Sequence, residues 1–214
     1  MTERPILFSA EMVRAILDGR KTQTRRVMKV QPWPDATIEV GPYHPHRIDR
    51  HGESQPGPVT FGAILDHQDI VNGGDAGLPC PYGKPGDYLW VRETWAPLAD
   101  CVVLNCAYYR LDHEEARSSG SRVDVKWRPS IYMPRWASRI TLRITDIRVE
   151  RLQSVSHEDC EAEGCPGGHG SIPGYPYSAT PREHFQTLWN QINGPGAWDA
   201  NPWVWVVCFE RVKP

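Results

Sequence analysis

Residues 138–152 read SRITLRITDIRVERL. Ile140, Leu142 and Ile144 alternate with Thr141, Arg143 and Thr145, the period-two pattern of a strand with one dry and one wet face. The continuation SVSHEDCEAEGC, residues 154–165, changes character at once. Ser156 is placed to cap a short helix, Asp159 falls in its first turn and Gly164 stops it. A half-buried strand leading straight into a capped helix is therefore the unit from which the fold is read.

The same grammar recurs on either side. PILFS (residues 5–9) reads as a strand, and AEMVRAILDG (10–19) puts Met12, Val13, Ile16 and Leu17 on one helical face, with Ser9 as cap and Gly19 as stop. TQTRRVMKV (22–30) alternates and can run as a strand. YGKPGDYLWVRETWAPL (82–98) is a Pro-Gly-Asp turn and a strand, with Leu89, Val91 and Glu93 opposite Trp90, Arg92 and Thr94. CVVLNCAYYR (101–110) is a further strand, and LDHEEARSSGSR (111–122) a polar loop or helical turn. TPREHFQTLWNQING (180–194) begins with Thr180 as cap, Pro181 at the first position and Glu183 completing a capping box, and Gly194 ends it. Its buried stripe is Phe185, Leu188, Trp189 and Ile192. NPWVWVVCFERV (201–212) closes the chain as an aromatic strand. Short strands with three helices between them predict an α+β fold, a small mixed β-barrel with helices packed outside.

Residues 30–80 interrupt this pattern with Pro, Gly and His, and only VTFGAIL (59–65) looks ordered there. We read residues 1–214 as one domain carrying insertions at about 30–80 and 100–125.

Composition narrows the function. Formal net charge is -2, so any nucleic-acid contact must use a local patch. No apolar run has the roughly 18 residues of a membrane span, and MTERPILFSAEM lacks a signal-peptide core. A soluble cytoplasmic protein without membrane partners is expected. The six cysteines, at 80, 101, 106, 160, 165 and 208, are then expected to be unpaired thiols. Cys160, Cys165 and His169 are the most metal-like set, but their spacing fits no strong zinc signature. Neither metal nor cofactor is expected. Phosphate-loop, G-x-G-x-x-G, G-x-S-x-G and H-E-x-x-H motifs are absent.

Four stretches can carry chemistry. DGRKTQTRR (18–26) offers Lys21, a base if burial or neighbouring cations release its proton, and Thr24, a nucleophile if a base takes its own. The same residues also suit a solvated cationic run after a helix end. In the short helix, Glu158, Asp159, Glu161 and Glu163 are all candidate acids, and spacing does not choose among them. LWVRETW (89–95) pairs Trp90 and Trp95, which could cover a planar base, with Arg92 and Glu93, which could read its edge. A core strand with salt-bridged polar groups explains it equally. WRPSIYMPRWASR (127–139) interleaves Trp127, Arg128, Arg135, Trp136 and Arg139, as cation–aromatic packing in a structural loop also does.

With GRKTQTRR, KPGDYLWVRET, ITLRITDIRVERLQSVSHEDCEAEG and WVWVVCFERV in this order, the chain resembles the ASCH domain family, a branch of the PUA-like barrels. It is most similar to the longer ASCH-containing proteins of phages and prophages, in which ILFS, RKTQTRR, CPYGKPGD, PRWASR and NPWVWV recur. Small bacterial ASCH enzymes hydrolyse N4-acetylcytidine to cytidine and acetate. The resemblance implies Lys21 as base, Thr24 as nucleophile and Glu163 as the acid that orients the lysine or handles the proton. It matches Arg26 to an arginine of the same segment. Arg26, Trp90, Arg92, Glu93, Trp95, Arg135 and Trp136 form the expected substrate-binding set for a modified nucleoside or nucleic acid. The alternatives are a non-catalytic reader of RNA or modified bases and a nuclease on the same fold.

Overall fold

A computed structural model describes residues 1–48, 50, 52–65, 77–97, 107–112 and 125–212. In chain order the elements are β1 (Glu3–Leu7), α1 (Ala10–Leu17), β2 (Gln23–Val27), β3 (Ile38–Tyr43), β4 (His46–Ile48), β5 (Ser54–Pro56), β6 (Thr60–Leu65) and β7 (Gly77–Pro79). They continue with β8 (Tyr88–Arg92), β9 (Trp95–Pro97), β10 (Ala107–Tyr109), β11 (Thr141–Arg151), α2 (His157–Ala162), β12 (Gly168–His169), β13 (Ser178–Ala179), α3 (Pro181–Asn193) and β14 (Trp203–Val212). The fold is mixed α+β.

A five-stranded sheet in the order β1-β8-β11-β14-β2 forms its centre. β1 runs parallel to β8, and the remaining pairs are antiparallel. β11 realises the alternation of residues 138–152: Leu142 and Ile144 are buried, and Arg143 and Thr145 are exposed. The pattern then breaks, because Ile147 lies three residues after Ile144 and yet also packs in the core. The ladder answers with a bulge: Ile144 pairs with Phe209 and Asp146 with Cys208, so Thr145 is the extra residue.

β14 is buried on both faces, which explains its run of Trp and Val. Trp203, Trp205, Val207 and Phe209 join Ile6, Leu89 and Leu142 in the main core. Val204 and Val206 face a second core with Leu152, Cys160, Phe185, Trp189 and Trp198, under α2 and α3. Burying one such side chain contributes roughly 1.5–3 kcal/mol.

The expected caps are in place. Ser9 accepts from the Met12 N–H, and Thr180 and Glu183 complete a reciprocal capping box. The stripe read on α3 divides: Phe185 and Trp189 are buried, Leu188 is partly covered, and Ile192 is 53% exposed. These last two form the wall of a cavity described below.

Residues 30–80 hold more order than expected. Besides β6, they form the three-stranded sheet β3-β6-β7 and the hairpin β4-β5. These strands are too short, and too broken by Gly and Pro, to show alternation. Some of the breakers are required by packing: a Cβ at Gly77 would lie 1.9 Å from the Tyr43 ring. Of the second expected insertion, β10 and the residues up to 112 are described, and the strand read at 101–106 and the loop from residue 113 lie outside the described residues.

No helix among the described residues is long and apolar enough to cross a membrane. Nor, among them, are three or more His, Cys, Asp or Glu side chains grouped to hold a metal ion. Cys80, Cys160, Cys165 and Cys208 are free thiols. Burial pushes Cys160 up to about 11 and Cys165 up to about 12, far from the thiolate form that reacts. In native protein at pH 8, both stay unlabelled by a disulfide-exchange reagent and react only after unfolding. Labelling of either before unfolding, located by mass spectrometry, would contradict this packing.

Candidate active site at the edge of the sheet

The chain leaves α1 at Asp18 and turns through Gly19, and the N–H groups of Arg20 and Lys21 both donate to the Ala15 carbonyl. This wrap carries Lys21 beneath the C-terminal end of α2. There the Thr22 N–H donates to the Ala162 carbonyl, and Lys21 Nζ donates to the Glu163 carbonyl at 2.8 Å. Carbonyls at a helix C-terminus lack intrahelical partners and carry partial negative charge, so a cation and a free N–H suit them.

Glu163 is the C-cap of α2, and its position is fixed by the turn that ends the helix. Gly164 N–H donates to the Glu161 carbonyl and Cys165 N–H to that of Cys160. This is a Schellman pair, with both cysteines buried together below it. Gly164 sits at φ +89°, and a Cβ there would come 3.1 Å from Ala15 Cβ. Gly164→Ala should therefore cost about 1–3 kcal/mol in urea unfolding and weaken the seating of Glu163. A loss below about 0.5 kcal/mol would show that the turn does not need glycine.

The Glu163 carboxylate is held from both sides. Lys21 Nζ donates to Oε2 at 2.8 Å and Arg25 Nη1 to Oε1 at 3.4 Å. The Lys21 and Arg25 side chains are fully covered, and that of Glu163 is 4% exposed. Arg25 Nη2 also binds Glu150 at 3.1 Å and Asp159 at 2.7 Å, and Arg148 bridges the same two acids. Although burial acts to raise Asp159, Arg25, Gln23 and Arg148 hold its carboxyl below the ordinary 3.8. The four acids of the short helix thus separate by role. Glu163 meets the lysine, and Asp159 anchors the arginines.

β2 lies at the edge of the sheet, paired only with β14 among the described strands. Thr24 pairs with Val207 and Arg26 with Trp205, so both point to the main-core side; Gln23 and Arg25 point toward α2. With no outer neighbour among the described residues, side chains from both faces of the strand meet around its edge. A cavity of about 170 Å³ forms there, lined by Thr24, Arg25, Arg26, Tyr82, Glu163 and, from α3, Leu188, Trp189 and Ile192. Thr24 makes no side-chain hydrogen bond among the described residues, and Lys21 Nζ has one donor position left after its two bonds to Glu163.

Arg26 donates to the Leu7 carbonyl at 2.5 Å and lies 5.2 Å from the Phe8 ring centre. Burial holds its guanidinium below its ordinary value, against the fields of Tyr82 and Glu163, and burial pushes the Tyr82 hydroxyl up. The Nε atoms of Arg25 and Arg26 and the Trp189 Nε1, all on cavity-lining residues, are buried without a hydrogen-bond partner among the described residues.

Of the sequence-derived set, Thr24, Arg26 and Glu163 line this cavity, and Lys21, which is not among its lining residues, is joined to it through Glu163. The other members are not in the cavity wall. Arg92 lies 4.6 Å over Trp90, itself buried. Glu93 is buried and bound by Arg139 through both oxygens, at 2.9 and 3.0 Å. Trp95 is buried between the edge of Trp136 and Arg128, and Arg135 pairs with Glu3 at 2.8 Å. In that set only Arg135 and Trp136 are exposed. Sequence reading missed Tyr82 and Trp189. Tyr82 lies in a turn between two insertion-flanking strands, where no periodicity marks it; Trp189 read as core because it fits a helical stripe.

Comparison of the chain with known protein families, with curated proteins and with solved structures finds no match.

Proposed function

We propose that this chain is an ASCH-type amidohydrolase that cleaves the acyl amide of an N4-acylated cytidine or a related modified nucleoside. One observation carries the reading. Lys21 and Glu163, 142 residues apart in sequence, form a buried 2.8 Å ion pair, and Glu163 shares a cavity wall with Thr24. A basic run that served only as a solvated surface would have left that lysine in water.

In the reaction we infer, the Lys21 proton moves to Glu163 and the freed amine takes the Thr24 hydroxyl proton. Thr24 Oγ attacks the acyl carbonyl carbon. The carbon–nitrogen bond breaks as Lys21 returns the proton to N4, leaving cytidine and an acyl ester on Thr24. Water gives a proton to Lys21 and adds to the ester, and the carboxylic acid leaves as Thr24 regains its proton. Arg26 and Trp189 have donors to offer an acceptor oxygen of the base or acyl group.

The proposed framework is a PUA-like barrel. In support, the two edge strands of the central sheet, β1 and β2, approach closely enough for the Arg26 side chain to donate to the Leu7 carbonyl, without a backbone ladder between them. A second reading, binding of single-stranded nucleic acid without chemistry, rests on the exposed rings of Tyr132 and Trp136, at 72% and 46%. Incubating the protein with N4-acetylcytidine and with oligonucleotides, followed by mass spectrometry, separates these. Cytidine and acetate are the expected products. An intact acyl nucleoside with salt-sensitive oligonucleotide binding would favour the second reading, and cleaved strands would indicate a nuclease.

A further inference from the structure

A second cavity, of about 250 Å³, adjoins the first and shares Val27 and Tyr82 with it as a common wall. Val27, Val30 and Trp205 line it together with Leu78 and Pro79 of β7. The inserted sheet β3-β6-β7 therefore supplies part of this wall, directly beside the cavity that holds Thr24 and Glu163.

We propose that this insertion builds an apolar subsite for the acyl group, and that the preferred substrate carries an aryl or branched acyl group rather than acetyl. The proposal rests on the acylcytidine reading above.

The two cavities differ in chemistry. The first presents Arg25, Arg26, Glu163 and Asn193 beside Trp189 and Phe185, which are hydrogen-bonding groups for a base edge and rings for its face. The second offers one charged side chain, Lys29, and otherwise aliphatic, aromatic and prolyl groups. It has no carboxylate or carboxamide to satisfy a base edge, and burying unpaired polar atoms there would be costly. An acyl tail has no such demand. Size agrees, since an apolar cavity of roughly 150 Å³ is enough to hold benzene, and an acetyl methyl would leave most of this one unfilled.

The test separates binding from turnover. N4-benzylcytidine and N4-methylcytidine have no amide to hydrolyse and differ only in the group offered to the subsite. Calorimetric titration should give at least tenfold tighter binding of the benzyl compound. Leu78→Trp, which fills the cleft, should reduce that preference below threefold, and Val30→Trp at the exposed rim should do the same if the first variant folds poorly. Equal binding, no binding, or a preference unchanged in both variants overturns the subsite.

Hydrolysis of N4-benzoylcytidine and N4-acetylcytidine is followed in parallel, with kcat/KM for the benzoyl compound expected to be at least tenfold higher. If neither is cleaved while the benzyl preference holds, the hydrolase reading falls and the subsite stands. If both are cleaved without any benzyl preference, the hydrolase stands and the subsite falls.

Discussion

Thr24→Ala reduces kcat/KM on an N4-acylcytidine by a factor on the order of 10⁴ or more, the scale seen when a nucleophile is removed from a group of residues acting as a unit. Thr24 is 2% exposed and its side chain makes no hydrogen bond among the described residues, so the truncation removes one hydroxyl and one methyl and leaves the melting curve nearly unchanged. Lys21→Met gives a comparable loss, and the double variant is little worse than either, because both act in the same step. In a rapid-quench experiment the wild type accumulates an acyl adduct on the tryptic peptide containing Thr24, and Thr24→Ala does not. Retention of more than a tenth of the activity by Thr24→Ala, or an adduct on another residue, would remove Thr24 from its role.

Arg25→Met destabilises the fold by about 3–5 kcal/mol, the cost of removing one partner from a buried ion pair. The guanidinium is fully covered and reaches Glu150, Asp159 and Glu163 at once; methionine fills much of the same space without compensating the three acids. Urea unfolding at pH 7 measures the loss, and a change below about 1 kcal/mol would show that Lys21 and Arg148 suffice without it. The effect depends on pH with a defined sign. Asp159 is held below its ordinary 3.8 in the folded state, so the folded chain binds fewer protons there than the unfolded one. Its contribution is complete above the unfolded value and is lost as pH falls through the folded value. The stability difference between wild type and Arg25→Met therefore narrows below about pH 4.

Local patterns in the sequence predicted local structure well. Ser9, Thr180 and Glu183 cap because their side chains reach N–H groups three residues away, and residues 140–145 alternate because one face is dry. What escaped reading depends on neighbours distant in the chain. Spacing alone did not choose Glu163 among four acids; the resemblance did, and the Schellman turn at Gly164 is what sets it against Lys21. Trp90, Arg92, Glu93 and Trp95 have the composition of a nucleobase site, but their rings and charges are matched to each other and to Arg128 and Arg139. Composition records which groups are available and not which partner has already taken them. Apart from β6, the strands of residues 30–80 were hidden because each is short and gains its stability from pairing across the insertion.

The extra residue in β11 has a consequence for how the gene can lose codons. On either side of the bulge, each β11 side chain keeps to the same face as its partner on β14: Ile144 opposite Phe209, and Ile147 opposite Val207. Excising Thr145 alone would leave a regular ladder with the aliphatic side chains still inward, Glu150 still directed at Arg25, and Arg148 still directed at Glu150 and Asp159. Thr145 is thus the strand's spare link, the position where an in-frame deletion inverts nothing.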